Sequence, residues 1–400
     1  MNSSLRPVSQ LGLILALLVL ALTLRPSMAA IGPVLPFIQQ ELPFSFSLAS
    51  LLTMLPVLAM GLGILCAHYF AQKLGPYLLI FWAAAAIGLA TLVRLWSASV
   101  WDLILTAVVS GLGIAMVQAV APAVIKQRFA SHAALVMGWY ISAIIAGAAL
   151  AASLSAYLAE ALQSWRLALG GWALLSVLAV LAWFSQRSGL RQLAAPGSGQ
   201  NPLGYRKYRR GWTLAWFFGL VTCAFTCVLA WLPAYYVELG WPEPKAGLLL
   251  GFMISMEVLS GIVSPMLASR LYDRRPVLLA LALLMLAGFA GLVLWPAAAW
   301  LWAALLGLGI GGLFPLSLIV AMDHRKDAQQ AASLTAFVQA VGYTLAAFSP
   351  LVAGLIRDLT QSFRLSWLVL ALVSLLVLWM AGRFNPAGYA DCFAAKSSVT

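Results

Sequence analysis

The feature that most constrains the fold of this chain is a succession of twelve apolar segments separated by short polar stretches. They run over residues 11–37, 47–68, 77–94, 101–125, 134–158, 165–184, 212–238, 246–268, 277–295, 300–322, 332–356 and 364–383. Since a helix of about 20 apolar residues crosses the roughly 30 Å hydrocarbon core, these segments have the length of membrane spans. Only 8% of the residues are charged, whereas about 25% are charged in ordinary globular chains. The sequence therefore predicts an all-α polytopic protein with twelve transmembrane helices in a lipid bilayer.

The twelve segments fall into two halves of six. We place an N-terminal six-helix bundle at residues 1–184, a linker at 185–211 and a C-terminal six-helix bundle with a short tail at 212–400. The linker carries six cationic residues among Pro, Gly and Ser, which is typical of a cytoplasmic loop at the membrane surface rather than of a nucleic-acid patch. The tetrapeptide Gly-Leu-Gly-Ile at 111–114 recurs at 307–310. Chance similarity of Gly-rich helices is one explanation, and a parallel repeat with a mid-membrane site between its halves is the other.

The net charge of +12 follows from this topology. With loops assigned alternately from a cytoplasmic N-terminus, 17 of the 23 Lys and Arg residues lie on the cytoplasmic side and five, Arg94 among them, lie outside. The positive-inside rule then places both termini in the cytoplasm. We therefore expect no nucleic-acid partner.

The first segment contains one charged residue, Arg25, close to its midpoint at Leu24. An arginine at the centre of a membrane helix costs about 2.5 to 3.5 kcal/mol on insertion scales and usually faces a cavity on a substrate or ion path. Pro26 removes a backbone donor and crowds the carbonyl of Leu22, so the helix is expected to break there. The alternatives for Arg25 are a structural partner within the bundle, or a side chain that snorkels to the interface.

Three further polar side chains lie inside the predicted spans. Glu257, at the centre of its segment, is the one acid there; it is interpreted as a titrating proton carrier if unpaired, or as a gate if it pairs with Arg25. A carboxyl bonded to a neighbouring helix is the structural alternative. Gln118 and Gln339 can each donate and accept hydrogen bonds, so they are candidates to line a cavity or to join helices.

Four aromatic residues are candidates for the walls of the site: Trp139, Tyr140, Phe314 and Tyr343. Phe314 precedes Pro315 in a Gly-rich helix that can bend. Aromatic residues near helix ends also form interface belts, which is the alternative for Trp139 and Tyr140, whereas Tyr343 lies too deep for a belt.

The two-times-six plan, the basic central linker and the short cationic loops resemble the major facilitator superfamily. Its cytoplasmic loop signature is present as Asp273, Arg274 and Arg275, while the matching first-half loop, residues 68–76, lacks the acid and the arginines. Within that superfamily the chain resembles the bacterial cyanate transporter family over essentially all twelve helices. The motifs that carry this closer resemblance are Leu24-Arg25-Pro26, Gly32-Pro33, Leu52-Thr53, Leu55-Pro56-Val57, Gln118-Ala119-Val120, Val136-Met137-Gly138, Ala230-Trp231-Leu232-Pro233-Ala234 and Phe314-Pro315-Leu316.

The resemblance implies a secondary transporter that works by alternating access in the bacterial inner membrane, with cyanate or a similar small monovalent anion as substrate and a proton as a possible co-substrate. One mid-depth arginine with few other polar groups also suits a small anion better than a sugar. The alternative is an exporter of small aromatic heterocycles such as 2-nitroimidazole, in which the aromatic residues would matter more than Arg25. A receptor built on a transporter scaffold is a third class, disfavoured because no output domain is apparent.

The sequence contains no phosphate-binding loop, no metal-spaced cluster of His and Cys, and no paired nucleophile and base. We therefore expect no enzyme activity, no cofactor and no metal site. The four cysteines are interpreted as inert packing thiols. The chain is expected to work as a monomer.

Overall fold

The computed structural model of the chain describes residues 10–129, 132–190, 202–325, 327–389 and 391–393. Residues 1–9, 191–201 and 394–400, which include part of the predicted linker and tail, lie outside the described residues. The described part is helical and contains twelve spans that are long and apolar enough to cross a membrane. The predicted fold class is thereby confirmed.

The described residues contain fifteen α-helices, because several spans are broken or joined and two short helices, Ile31–Glu41 and Arg187–Leu190, lie outside the spans. They are α1 (Gln10–Thr23), α2 (Pro26–Ala29), α3 (Ile31–Glu41), α4 (Phe46–Val93), α5 (Val100–Phe129), α6 (Ala133–Ala161), α7 (Trp165–Gly170), α8 (Ala173–Ser185), α9 (Arg187–Leu190), α10 (Arg209–Glu238), α11 (Glu243–Ser269), α12 (Arg275–Leu294), α13 (Ala299–Asp323), α14 (Ala328–Thr360) and α15 (Arg364–Gly382). The first span, Gln10–Ala29, comprises α1 and α2 and is followed by α3, and the sixth comprises α7 and α8. Helix α4 contains both the second and the third span.

Residues 68–76 do not form the loop that the sequence predicts. The chain stays helical through most of this stretch, and the two spans of α4 are separated by a break at Gly75, where φ is 77° and ψ is 155°. A left-handed φ of this kind is easily adopted only by glycine. One glycine followed by Pro76 therefore reverses the chain where a loop was expected.

The glycines of the repeated tetrapeptide pack in corresponding ways in the two halves. A Cβ on Gly111 would lie 2.5 Å from Pro56 of the second span, and one on Gly307 would lie 2.2 Å from the carbonyl oxygen of Met253 in α11, the eighth span. The second glycine of each pair packs on the next span, Gly113 against Ile87 and Gly309 against Met285. Small residues allow such close helix approach in membrane bundles. The repeat is thus a packing relation that both halves share.

Arg94 differs from its expected position. The sequence predicts it as the last residue of the third segment, on the outer side of the membrane, but its side chain is fully buried at 0% exposure. It lies among α2, α4 and α5, where it bonds Ser27 and Thr106. Arg94 is therefore a fully buried cation of the first half, whereas Arg25 is half-buried.

The linker end of the molecule, where α11 meets α12 and α13 terminates, is held by ion pairs. Arg274 donates from Nε and Nη2 to Asp323, at 2.6 and 3.1 Å. Arg275 donates to the carboxylate of Asp273, and this hydrogen bond holds the pKa of Asp273 below its ordinary value. The loop signature therefore ties helices within the second half together.

At the opposite end, which we call the Asp358 end, the two halves are joined directly. The carboxylate of Asp358, near the end of α14, accepts from the backbone N–H groups of Phe46 at 3.1 Å and Ser47 at 2.8 Å, and from the Ser47 hydroxyl. The Phe46 ring lies 5.7 Å from that of Trp231 and 5.4 Å from that of Phe363. A side chain of the second half thus caps the first turn of a helix of the first half.

Candidate functional site

The first span breaks at the arginine, as the sequence predicts. Helix α1 ends at Thr23 and α2 begins at Pro26, so Arg25 is the N-cap residue of a four-residue helix. The Arg25 carbonyl accepts from the N–H groups of Met28 and Ala29, at 3.0 and 2.9 Å. Because Pro26 has no N–H, it cannot bond the carbonyl of Leu22 as the next helical turn would.

The neighbouring helix α6 approaches this break through a glycine. A Cβ on Gly147 would lie only 2.2 Å from the Leu22 carbonyl oxygen, so no other residue fits there without movement. Close backbone approach is one of the uses of glycine in membrane bundles. The helix break and the packing of α6 together fix the position of the Arg25 backbone and thus where its side chain begins.

Polar groups from three other helices surround the Arg25 guanidinium. It is the charged neighbour of the Tyr140 hydroxyl from α6, of the Glu257 carboxyl from α11 and of the Tyr343 hydroxyl from α14. The Tyr343 hydroxyl is close enough to share a hydrogen bond with it. The guanidinium also lies 5.9 Å from the centre of the Phe225 ring, within the range of a cation–π contact. The structure thus brings four predicted site residues together between the two halves.

Glu257 is buried but unpaired. Its side chain is 7% exposed, and its Oε2 atom has no hydrogen-bond partner in the described residues. Arg25 is its electrostatic neighbour, yet the two form no ion pair within the described part of the chain. Gly311 holds α13 against this position, since a Cβ there would lie 2.4 Å from the Glu257 carbonyl oxygen. In this conformation the geometry matches the unpaired interpretation.

An aromatic wall on α10 lies beside these groups. The Phe218 ring packs 5.2 Å from that of Phe314 and 5.3 Å from that of Tyr343. The sequence analysis does not identify Phe218 or Phe225, although their spacing of seven places both on one face of α10. Helix α10 is buried on nearly all sides, so no amphipathic pattern distinguishes the site-facing residues from the packing residues.

The structure places the remaining predicted residues less centrally. Gln339 is half-buried and lies one turn before Tyr343 on α14, while Gln118 is half-buried on α5. Neither amide makes a hydrogen bond to the described part of the chain. Trp139 is 44% exposed, and nothing in the described contacts links it to Arg25, whereas the adjacent Tyr140 is 2% exposed.

A separate cavity of about 210 Å³ lies between α10, α14 and α15. Its lining is almost entirely apolar and includes Cys223 and Cys227, both buried. None of the polar groups around Arg25 lines it. Cysteines buried in apolar surroundings are chemically inert, in agreement with the interpretation of these two as packing residues.

The arrangement at Arg25 fits a small anion. A half-buried guanidinium without a carboxylate partner presents a fork of N–H donors to an anion, and two tyrosine hydroxyls add further hydrogen-bonding groups. No group of His, Cys, Asp and Glu that could hold a metal occurs in the described residues. The site is therefore suited to binding by hydrogen bonds and charge.

The sequence matches the family model of the Major Facilitator Superfamily over residues 15–347. It is 33% identical to the cyanate transport protein CynX of Escherichia coli (strain K12), over 96% of this chain and 100% of that protein. It is 29% identical to the 2-nitroimidazole transporter of the same organism, over 94% of this chain and 96% of that protein.

Among solved structures, the fold is similar to that of a bacterial homologue of the human lysosomal transporter Spinster in an inward-facing, unoccupied conformation. The TM-score is 0.76, the sequence identity is 14%, and the match covers 98% of this chain and 100% of that one. At this identity the likeness concerns the fold alone.

Proposed function

The chain belongs to the major facilitator superfamily, and we propose that it transports cyanate or a similarly small monovalent anion across the bacterial inner membrane by alternating access. It is a multi-pass membrane transporter of a small-molecule substrate, not an enzyme. The substrate, its charge and the orientation of the protein are the proposed parts. Cyanate is the substrate named for the 33% identical relative.

One observation carries this proposal: Arg25 lies between the two halves at a helix break, half-buried and without an acidic partner in the described residues. An unpaired charge in a membrane protein is expensive, so such residues usually serve a substrate or ion. A compact monoanion would neutralise the guanidinium when bound. In the resting site, the ring of Phe225 and the hydroxyl of Tyr343 are its neighbours.

The conformation supports a site that is closed at the Asp358 end. Besides the Asp358 contacts, Gly32 packs on the Leu229 carbonyl oxygen, with a Cβ distance of 2.6 Å, and Gly251 packs on Ser153. Towards the linker end, the space around Gly138 is open. With the linker in the cytoplasm, as proposed, closure at the Asp358 end supports an inward-facing state.

Glu257 is proposed to couple transport to protons. It lies near Arg25 but does not pair with it, so it is free to exchange a proton when the site opens. Moving one elementary charge across the membrane is worth about 2.3 kcal/mol per 100 mV, so one monoanion moving with one proton would be insensitive to membrane potential. In the alternative role, Glu257 would pair with Arg25 in the opposite conformation and act as a gate.

An exporter of small aromatic heterocycles is the second candidate. The rings of Phe218, Phe225, Phe314 and Tyr343 provide stacking surfaces beside Arg25, and offset or edge contacts between aromatic rings are favourable. The 29% identical relative is named for 2-nitroimidazole. In this case substrate recognition would depend on the aromatic wall, and loss of the Arg25 charge would matter less.

The two candidates are separated by transport into proteoliposomes containing the purified protein. Labelled cyanate and labelled 2-nitroimidazole would each be offered with and without an imposed pH gradient. The proposal expects saturable cyanate uptake that increases when the source side is acidic. Saturable movement of 2-nitroimidazole without any cyanate transport would favour the second candidate and contradict the first.

A further inference from the structure

We infer that Arg94 is a positioning residue for Arg25: it holds the four-residue helix α2 in place and thereby orients the guanidinium that binds the anion. This inference rests on the proposed function, because it gives Arg94 a role through the substrate-binding arginine. Arg94 itself is fully buried, so it does not contact a substrate in this conformation.

The contacts of Arg94 connect three parts of the first half. Its Nη1 atom donates to the carbonyl oxygen of Ser27 at 2.7 Å, and its Nε atom donates to the hydroxyl of Thr106 at 3.1 Å. Thr106 in turn donates to the carbonyl of Leu103 at 2.8 Å, which fixes it on α5. Arg94 therefore links the end of the third span and α5 to the helix that begins immediately after Arg25.

The carbonyl that Arg94 contacts belongs to a helix of a single turn. Helix α2 has four residues, Pro26–Ala29, so most of its carbonyl groups lack partners within the helix. Cationic side chains near a helix C-terminus can bond these last carbonyls and also interact favourably with the helix dipole. Arg94 fills this role from another helix. Arg25 is the N-cap residue of α2 and Arg94 bonds its second carbonyl, so the two arginines lie at either end of one turn.

Packing alone does not explain an arginine at this position. Arg94 has no acidic partner in the described residues, and its Nη2 atom makes no hydrogen bond there. An unpaired buried cation is destabilising, and a well-packed apolar side chain is often neutral or better for stability. The shortest hydrogen bond of Arg94 is to the carbonyl of Ser27, two residues after Arg25. A role in holding α2 explains this destabilising residue better than packing does.

The consequence concerns geometry at the site. Pro26 and the close approach of Gly147 interrupt normal helix bonding around Leu22. The segment that follows keeps a few backbone bonds of its own, from Met28 and Ala29 to Arg25 and from Ala30 to Pro26, and Arg94 adds one from another helix. A misplacement of about 1 Å at a reacting or binding group can change rates by about a hundredfold. Release of α2 should move the Arg25 guanidinium and therefore weaken anion binding.

The first test needs no substrate. Amide hydrogen exchange of residues 24–30 would be compared in the wild type, Arg94→Met and Thr106→Val, because Thr106→Val keeps the Arg94 charge and removes one bond. The inference expects faster exchange in this segment, about tenfold in Arg94→Met and less in Thr106→Val. Arg364→Lys is the matched control, since Arg364 also donates to a backbone carbonyl, that of Val293, but in the second half. It should leave residues 24–30 unchanged.

The second test is cyanate counterflow in proteoliposomes. Arg94→Met should raise the KM about tenfold with little change in maximal rate, and Arg94→Lys should restore part of the affinity. Unchanged exchange at residues 24–30 in both variants, or faster exchange with an unchanged KM, would overturn the inference. Wild-type KM in Arg25→Gln would instead refute the proposed function, whatever the exchange data on Arg94 show.

Discussion

Removal of the Asp358 carboxylate should shift the protein towards the conformation that is open at the Asp358 end. This carboxylate accepts from the N–H groups of Phe46 and Ser47 across the two halves, so these bonds exist only while that end is closed. The change proposed is Asp358→Ala. It leaves the Ser45 hydroxyl, which accepts from the N–H of Leu48, as the remaining cap of α4.

The magnitude follows from these bonds. Replacing a helix-capping acceptor by alanine costs about 0.5 to 2 kcal/mol, and a negative charge at a helix N-terminus adds about 0.3 to 1 kcal/mol. Taking about 1 to 2 kcal/mol for the closed state alone gives a shift of about 5- to 30-fold in the ratio of the two conformations.

The assay is a distance distribution between spin labels at Glu160 and Lys245, which are exposed on opposite halves at this end. The four native cysteines would first be replaced. Asp102→Ala is the matched control, because Asp102 accepts from two backbone N–H groups, at 2.9 and 2.8 Å, within one half. If Asp358→Ala leaves the long-distance population as small as Asp102→Ala does, the carboxylate does not hold the two halves together.

Three further predictions concern other residues. Glu257→Gln should still exchange labelled for unlabelled cyanate but should fail to accumulate cyanate when the outside is acidic. If the variant instead lowers the melting temperature, and its effect is less than additive with that of Arg25→Gln, Glu257 is a pairing partner of Arg25. Normal accumulation together with a normal melting temperature would exclude both roles. Tyr343→Phe should raise the KM for cyanate about fivefold, because the loss of one hydrogen bond costs about 1 kcal/mol. Tyr236→Phe is the control and should not raise it, since the Tyr236 hydroxyl donates to the carbonyl of Pro296. Equal effects of the two substitutions would contradict a binding role for Tyr343. Burial lowers the pKa of His324 to about 4, so on acidification the unfolded state binds a proton before the folded state does, and the free energy of unfolding should fall by at most about 2 kcal/mol from pH 7.5 to pH 5. Thermal unfolding of His324→Gln should lack this loss. An equal loss in the variant would contradict the assignment of the pH dependence to His324.

The sequence predicts the first-span break well because its causes are local. Arg25 interrupts the apolar run and Pro26 removes a donor, and both effects act within one turn. The structure confirms that α1 ends at Thr23, just before them. The twelve spans are also confirmed, since hydropathy over about 20 residues is a strong constraint in a bilayer.

Arg94 could not be placed in the same way. It is the last residue of an apolar run, where hydropathy alone predicts an exposed side chain, and its partners Ser27 and Thr106 lie 67 and 12 residues away in the sequence. The residues that meet Arg25 are similarly distant, and the sequence identifies Glu257 only as an acid at mid-depth and Tyr140 and Tyr343 only as candidate aromatic walls. Their convergence is a property of the packed helices.

The central claim is that the Arg25 guanidinium binds the transported anion. It is tested most directly by cyanate counterflow with wild-type protein, Arg25→Gln and Arg25→Lys, all reconstituted at equal amounts and checked for equal melting temperature. Loss of transport is expected in Arg25→Gln, with partial recovery in Arg25→Lys because an ammonium keeps the charge but lacks the planar fork of donors. Wild-type cyanate counterflow by Arg25→Gln would contradict the claim.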